Sequence, residues 1–222
     1  MSQEGLVGDW DEYLVVLRED AHQLLAWGYA DTRSQLPKAR DEYDITDWIA
    51  AAMARRIENP KTPERFTLYA IHNERPIKPA GEHGKDRPKL DIQIERCGIR
   101  PKRYYTFEAK RLRDDSKASV SNTLKHYLGE DGVGRFVSGR YESESIEAAM
   151  LGCIQAHDAD FWIGKIGAEL LEDTSSGNNK FGVIKHLKKI SIIVELPNEV
   201  SSVHQRKDGS KIQLLHIFIS CK

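Results

Sequence analysis

Apolar positions in the first quarter of the chain recur every three or four residues. Leu14, Leu17, Ala21, Leu24 and Leu25 give residues 11–29 one helical stripe. Ile45, Trp48, Ile49, Ala52, Met53 and Ile57 give residues 44–57 another. "ENPKTPE", with its two prolines, closes the second helix. The rhythm then changes. "RFTLYAIH" (65–72) reads as a strand, and 73–88, with three prolines and two glycines, as a long polar loop. "KLDIQIE" (89–95) alternates strictly, "RCGIRPK" turns, and "RYYTFEAKRL" returns, which predicts a β-hairpin. Residues 116–141 read as a helix, a glycine-broken turn and a short helical piece; 149–155 as a strand; 159–173 as a helix; and 174–182 as a loop. "LKKISIIVELP", "SSVHQ" and "KIQLLHIFISCK" read as closing strands, with a turn at "KDG".

The pattern predicts one α/β domain over 1–222. Residues 1–40 form a helical extension, 41–160 the core, and 161–222 a helix and closing strands. Forty per cent apolar and 30% charged residues is a globular composition. No apolar run is long enough for a membrane span, and "MSQEGLVGDWDEY" has neither the basic region nor the apolar stretch of a signal peptide, so a cytoplasmic location is expected. Cys97, Cys153 and Cys221 are scattered without zinc-ligand spacing. The net charge of −1 excludes a globally basic nucleic-acid binder. Charge is nevertheless concentrated locally: between Arg100 and Lys117 seven residues are Lys or Arg and three are acidic. Such a patch suits phosphates, and it equally suits a solvated loop.

The hairpin ends in an anomaly. Glu108 and Lys110 interrupt an aromatic strand two positions apart and therefore share a face. If the turn is centred between Ile99 and Arg100, Asp91 faces Glu108, and facing side chains lie about 4.5–5.5 Å apart. Two acids so placed repel unless a cation lies between them. An acid pair beside a backbone carbonyl suits Mg²⁺, and a neighbouring lysine can orient water and stabilise charge on phosphorus. An isolated ExK tripeptide carries little weight, since chance supplies about one in a chain this charged; the aromatic strand, the facing acid and the basic helix that follows supply the context.

These residues resemble the PD-(D/E)XK nuclease superfamily, with Asp91 as the first acid and Glu108-Ala109-Lys110 as the (D/E)xK element; Leu90 stands where the family often has proline. The resemblance covers about residues 40–160. It implies a restriction-endonuclease-like mixed sheet flanked by helices, an αβββαβ core. It also implies Mg²⁺ (or Mn²⁺) held by Asp91, Glu108 and the Ala109 carbonyl, and phosphodiester hydrolysis, usually in DNA, with RNA left open. Many members carry a further acid on the preceding helix. Glu42 falls on the stripe of Ile45, Ile49 and Met53 and is the candidate, assisting at the metal or its water shell, although a first-turn acid complementing the helix dipole reads the same way. Arg111, Arg113, Lys117, Lys125 and Arg135 are the candidate phosphate contacts. A homodimer, an ATPase or another defence-system partner, and a role in restriction or anti-phage defence follow by analogy with the fold. The alternative is a nuclease-like subunit that binds DNA or assembles without cutting. Gln155 is expected as an ordinary strand-end amide rather than a group reaching the metal site. For His204, Arg206 and His216 on the closing strands a cross-strand pair, or no particular role, is favoured over catalysis.

Overall fold

The computed structural model describes residues 10–39, 41–76, 89–99, 102–139 and 145–222. Arg100 and most of the expected loop before the hairpin lie outside these residues. Helix α1 (Trp10–Thr32) and helix α2 (Glu42–Glu58) come first, and the Asp41 carboxylate caps α2 by accepting from the Asp44 N–H at 3.0 Å. Strands β1 (Tyr69–Pro76), β2 (Lys89–Arg96) and β3 (Tyr104–Leu112) follow. Next come α3 (Val120–Leu128), α4 (Val133–Val137), β4 (Glu147–Ile154), α5 (Ala159–Ser175), β5 (Val183–Ile190), β6 (Glu199–Gln205) and β7 (Lys211–Ser220).

The seven strands form one mixed sheet in the order β1-β2-β3-β4-β7-β6-β5. β4 lies parallel to both β3 and β7, while the flanking pairs are antiparallel. From α2 to β4 the elements run α-β-β-β-α-α-β: the expected order with the short α4 inserted.

Each face of the sheet has its own core. On one side Leu17, Leu24, Ile45 and Ile49 of α1 and α2 pack on Ile94, Phe107 and Ile217. On the other, Leu124, Phe136, Trp162 and Ile166 pack on Leu112, Met150 and Phe218. Glu108 and Leu112 share parity on β3, so Glu108 belongs to the second face.

Polar side chains cross both cores, and they are hydrogen-bonded, as burial demands. Under α1, His22 bonds Glu199 at 2.7 Å and the Tyr105 hydroxyl at 3.0 Å. On the opposite face Tyr127, His216, Ser202 and His204 form a buried chain, with successive distances of 3.0, 2.8 and 2.7 Å, that ends on the Phe181 carbonyl. His204 and His216 are thus linked through Ser202.

The fold departs from the sequence reading in three places. Residues 64–68 form a 3-10 turn, so β1 begins only at Tyr69. Pro63 at its N-cap supplies the extended residue from which the turn starts, and Phe66 is drawn into the core. β1 also runs on through residues 73–76, which pair with β2. Finally, the apolar run 191–196 is not a strand; β5 is the lysine-bearing segment before it. β5 is an edge strand with Lys185, Lys188 and Lys189 exposed, and charge on an edge discourages pairing with another chain.

Burial depresses the His216 imidazole to about 3 and lowers that of His204. Unfolding restores the ordinary value of 6.5, so between these limits the unfolded chain binds more protons. The contribution of His216 is therefore present above pH 6.5 and is lost as pH falls toward about 3. His216→Gln keeps hydrogen-bonding atoms but cannot titrate. Denaturant unfolding between pH 4 and 7 is expected to show a shallower acid limb for the variant, by up to about 1.4 kcal/mol per pH unit.

Candidate functional site

Ladder pairing between β2 and β3 runs as far as Ile92 opposite Phe107. The pairs Ile92–Phe107, Gln93–Thr106, Ile94–Tyr105 and Glu95–Tyr104 share one register, and its next step brings Asp91 against Glu108. This is the register that a turn centred between Ile99 and Arg100 requires. Pairing stops before that step although both strands continue, which leaves N–H groups of β3 facing the β2 side without backbone partners. Such donors cannot be buried unsatisfied. Two carboxylates take them: Asp91 Oδ2 accepts from the Ala109 N–H at 2.7 Å, and Glu42 Oε2 from the Arg111 N–H at 3.0 Å. The acids are therefore fixed by the strand edge they complete.

Lys110 fills the space between them. Its ammonium donates to Glu108 Oε1 at 2.9 Å and to the Ala109 carbonyl at 2.6 Å, and lies 3.7 Å from Glu42 Oε2. A second cation converges on the same carboxylate: Arg135 Nη1 donates to Glu108 Oε1 at 2.9 Å, while Nη2 bonds Asp131 at 3.3 Å. Arg135 reaches this position because α4 folds back tightly on α3. A Cβ on Gly132 would collide with the Tyr127 carbonyl oxygen, so only glycine permits that approach.

Glu108 is fully buried. Desolvation, and then the nearby Asp91 charge, push its carboxyl up to about 8 despite Lys110 and Arg135. Asp91 is also raised, chiefly by desolvation, with Lys110 and the Ala109 N–H opposing. Burial disfavours the Lys110 ammonium, but Glu108, Glu42 and Asp91 outweigh it, and its pKa is raised. Lys110 is thus a cation at neutral pH, a group that orients and stabilises negative charge rather than one that removes protons. Both bonds to Glu108 fall on Oε1, and Oε2 is buried without a hydrogen-bond partner.

Asp91, Glu108, the Ala109 carbonyl and Lys110 thus come together, and Glu42 joins them from the first turn of α2. Glu42 is a first-turn acid of α2 whose carboxylate also reaches this cluster, at the Arg111 N–H. Among the described residues no three acidic, histidine or cysteine side chains are grouped closely enough to hold a metal ion. The groups that could hold a divalent cation are the pair Asp91 and Glu108 with the Ala109 carbonyl, and the unpartnered Glu108 Oε2 is the observation in their favour. Mg²⁺ commonly takes one or two carboxylates and keeps several waters.

The remaining candidates divide. Arg135, expected to contact phosphate, is turned inward on Glu108. Its position depends on how α3 and α4 pack, and the only advance signal was the glycine-rich segment around it. Arg111 contributes its N–H to the site. Arg113 Nη2 pairs with Asp115 at 2.6 Å; Lys117 and Lys125 are exposed. Gln155 lies just beyond β4, its N–H donating to the Leu112 carbonyl at 2.9 Å. Compared with known proteins, the chain matches no family model, no curated protein and no solved structure.

The raised Glu108 carboxyl has a sign that can be measured. Its folded value, about 8, lies above the ordinary 4.5, so its contribution to stability is present below pH 4.5 and is lost as pH rises toward 8. Glu108→Gln removes this titration. In metal-free buffer the stability of the variant relative to wild type is expected to rise from pH 5 to 8, by on the order of 1 kcal/mol per pH unit in chemical denaturation.

Proposed function

We propose that the protein is a Mg²⁺-dependent endonuclease of the PD-(D/E)XK type with a restriction-endonuclease-like core, hydrolysing phosphodiester bonds in DNA. The observation that carries the proposal is the buried Glu108 carboxylate, with one oxygen unpartnered, beside Asp91, the Ala109 carbonyl and the Lys110 ammonium. Asp91, Glu108 and the Ala109 carbonyl are the groups that would hold the ion. When bound, Mg²⁺ supplies a Lewis acid for the phosphoryl oxygen and lowers the pKa of a coordinated water.

The chain's own residues supply the rest. Lys110, kept protonated by its acidic neighbours, orients a water and stabilises charge developing at phosphorus. Arg135 fixes the Glu108 rotamer through Oε1 and leaves Oε2 available. Glu42 keeps the β3 edge in place through the Arg111 N–H and faces the Lys110 ammonium. Lys117, exposed in the segment between β3 and α3, would contact phosphate without reading bases, which makes binding strongly salt-dependent. One such site per chain cuts both strands only through a homodimer or through successive nicks.

A second reading has its own support. Lys110 and Arg135 already bond Glu108 within the protein, and among the described residues no three His, Cys, Asp or Glu side chains are placed to hold a metal ion. A nuclease-like subunit that binds DNA without cutting would have the same features, with Lys110 as a structural counter-charge.

Supercoiled plasmid incubated with Mg²⁺ or Mn²⁺ separates the two readings. Metal-dependent nicking that falls at least about 10²-fold in both Lys110→Ala and Glu108→Gln is the expected outcome. Metal-independent DNA binding without nicking, unaffected by Lys110→Ala, establishes the binding subunit instead.

A further inference from the structure

A cavity of about 450 Å³ lies between α3, α4, α5 and the turns that lead into β5 and out of β6. That volume falls within the usual range for small-molecule sites. Leu124, Leu128, Val137 and Phe181 give it an apolar wall, and all four are buried. Three exposed lysines, Lys125, Lys180 and Lys207, stand in its lining, with the Lys180 ammonium 4.6 Å from the centre of the Phe181 ring. None of the three forms an ion pair among the described residues.

Three lysines against two acids, Glu130 and Glu169, leave the lining with one positive charge in excess, and none of the five is ion-paired among the described residues, so the cationic side is available to an anion. An occupant with an apolar ring and an anionic group satisfies both halves of the lining. Glu130 and Glu169 also line the cavity and are likewise free of ion pairs among the described residues. Their carboxylates can accept from amino or hydroxyl groups on such a ring. A flat apolar ring, hydrogen-bond donors and a phosphate together describe a nucleotide.

The cavity is distinct from the Glu108 site. Gly134, Val137 and Ser138 of the α4 segment line it, whereas Arg135 leaves the same segment to bond Glu108. The Lys207 N–H donates to the Val137 carbonyl at 3.2 Å, which ties the turn after β6 to the end of α4.

We infer that this cavity binds a small phosphate-bearing molecule with a ring body, of the mononucleotide class, at a place separate from the proposed nuclease centre. The wall buries the ring, and Lys125, Lys180 and Lys207 hold the phosphate.

The test uses the metal-free full chain and the fluorescent aromatic anion 8-anilinonaphthalene-1-sulfonate as probe. Saturable binding of one probe per chain is expected. Displacement by at least one of AMP, GMP, CMP and UMP should occur at a concentration at least about tenfold below that required for its parent nucleoside or inorganic phosphate. The double variant Lys125→Glu/Lys207→Glu, at surface positions and with an unchanged melting temperature, should lose that advantage. Probe binding that does not saturate, equal displacement by nucleoside or by inorganic phosphate, or a double variant that retains the tenfold advantage overturns the inference. Glu108→Gln should leave displacement unchanged while abolishing nicking, so the two readings fail separately.

Discussion

The hydrogen bond from the Ala109 N–H to the Asp91 carboxylate, 2.7 Å long, occupies the point where β2 and β3 cease to pair. A ladder that continued would place the backbone of β2 against Ala109 and leave no room for charged chemistry there. A ladder that stopped without a substitute would leave buried donors unsatisfied, at a cost of about 1–3 kcal/mol each. Asp91 and Glu42 resolve this by standing in for the missing strand. The edge of β3 is thereby satisfied, and its Ala109 carbonyl faces Lys110 rather than another strand.

The charge balance follows from that geometry. Glu108 lies under the sheet surface where desolvation and the neighbouring Asp91 both favour its neutral form. Lys110 and Arg135 oppose that tendency, yet both act through one oxygen. A buried acid with a partner on one side only is poorly suited to a purely structural role, because well-packed apolar residues stabilise such a site as well or better. The same arrangement suits a cation-binding carboxylate. The Tyr127–His216–Ser202–His204 chain makes a contrast: each of its members is bonded, its histidines are held neutral by burial, and it reads as core architecture.

Much of this site was legible in the sequence because strand periodicity is strict. Once Asp91 and Glu108 sit at equal distances from the turn, a two-stranded register leaves them no other relation. Glu42 was legible in the same way, through its place on the stripe of α2. Arg135 was not, because its direction depends on a glycine-dependent contact between two helices. Residues 191–196 misled because an apolar run can serve a core without being a strand, while β5, half of it lysine and histidine, hides its strand character behind the charge that protects an edge. The 3-10 turn at 64–68 was masked in the same manner by "RFTLY", whose β-forming residues continue directly into β1.

The proposed function requires Asp91, Glu108 and the Ala109 carbonyl to hold a divalent cation. Anomalous X-ray scattering from crystals grown with Mn²⁺ tests it most directly. The expected result is a peak at bonding distance from both carboxylates and the carbonyl oxygen, absent in Glu108→Gln. Crystals that bind Mn²⁺ elsewhere, or that leave Lys110 against Glu108 with no peak at saturating metal, would contradict it.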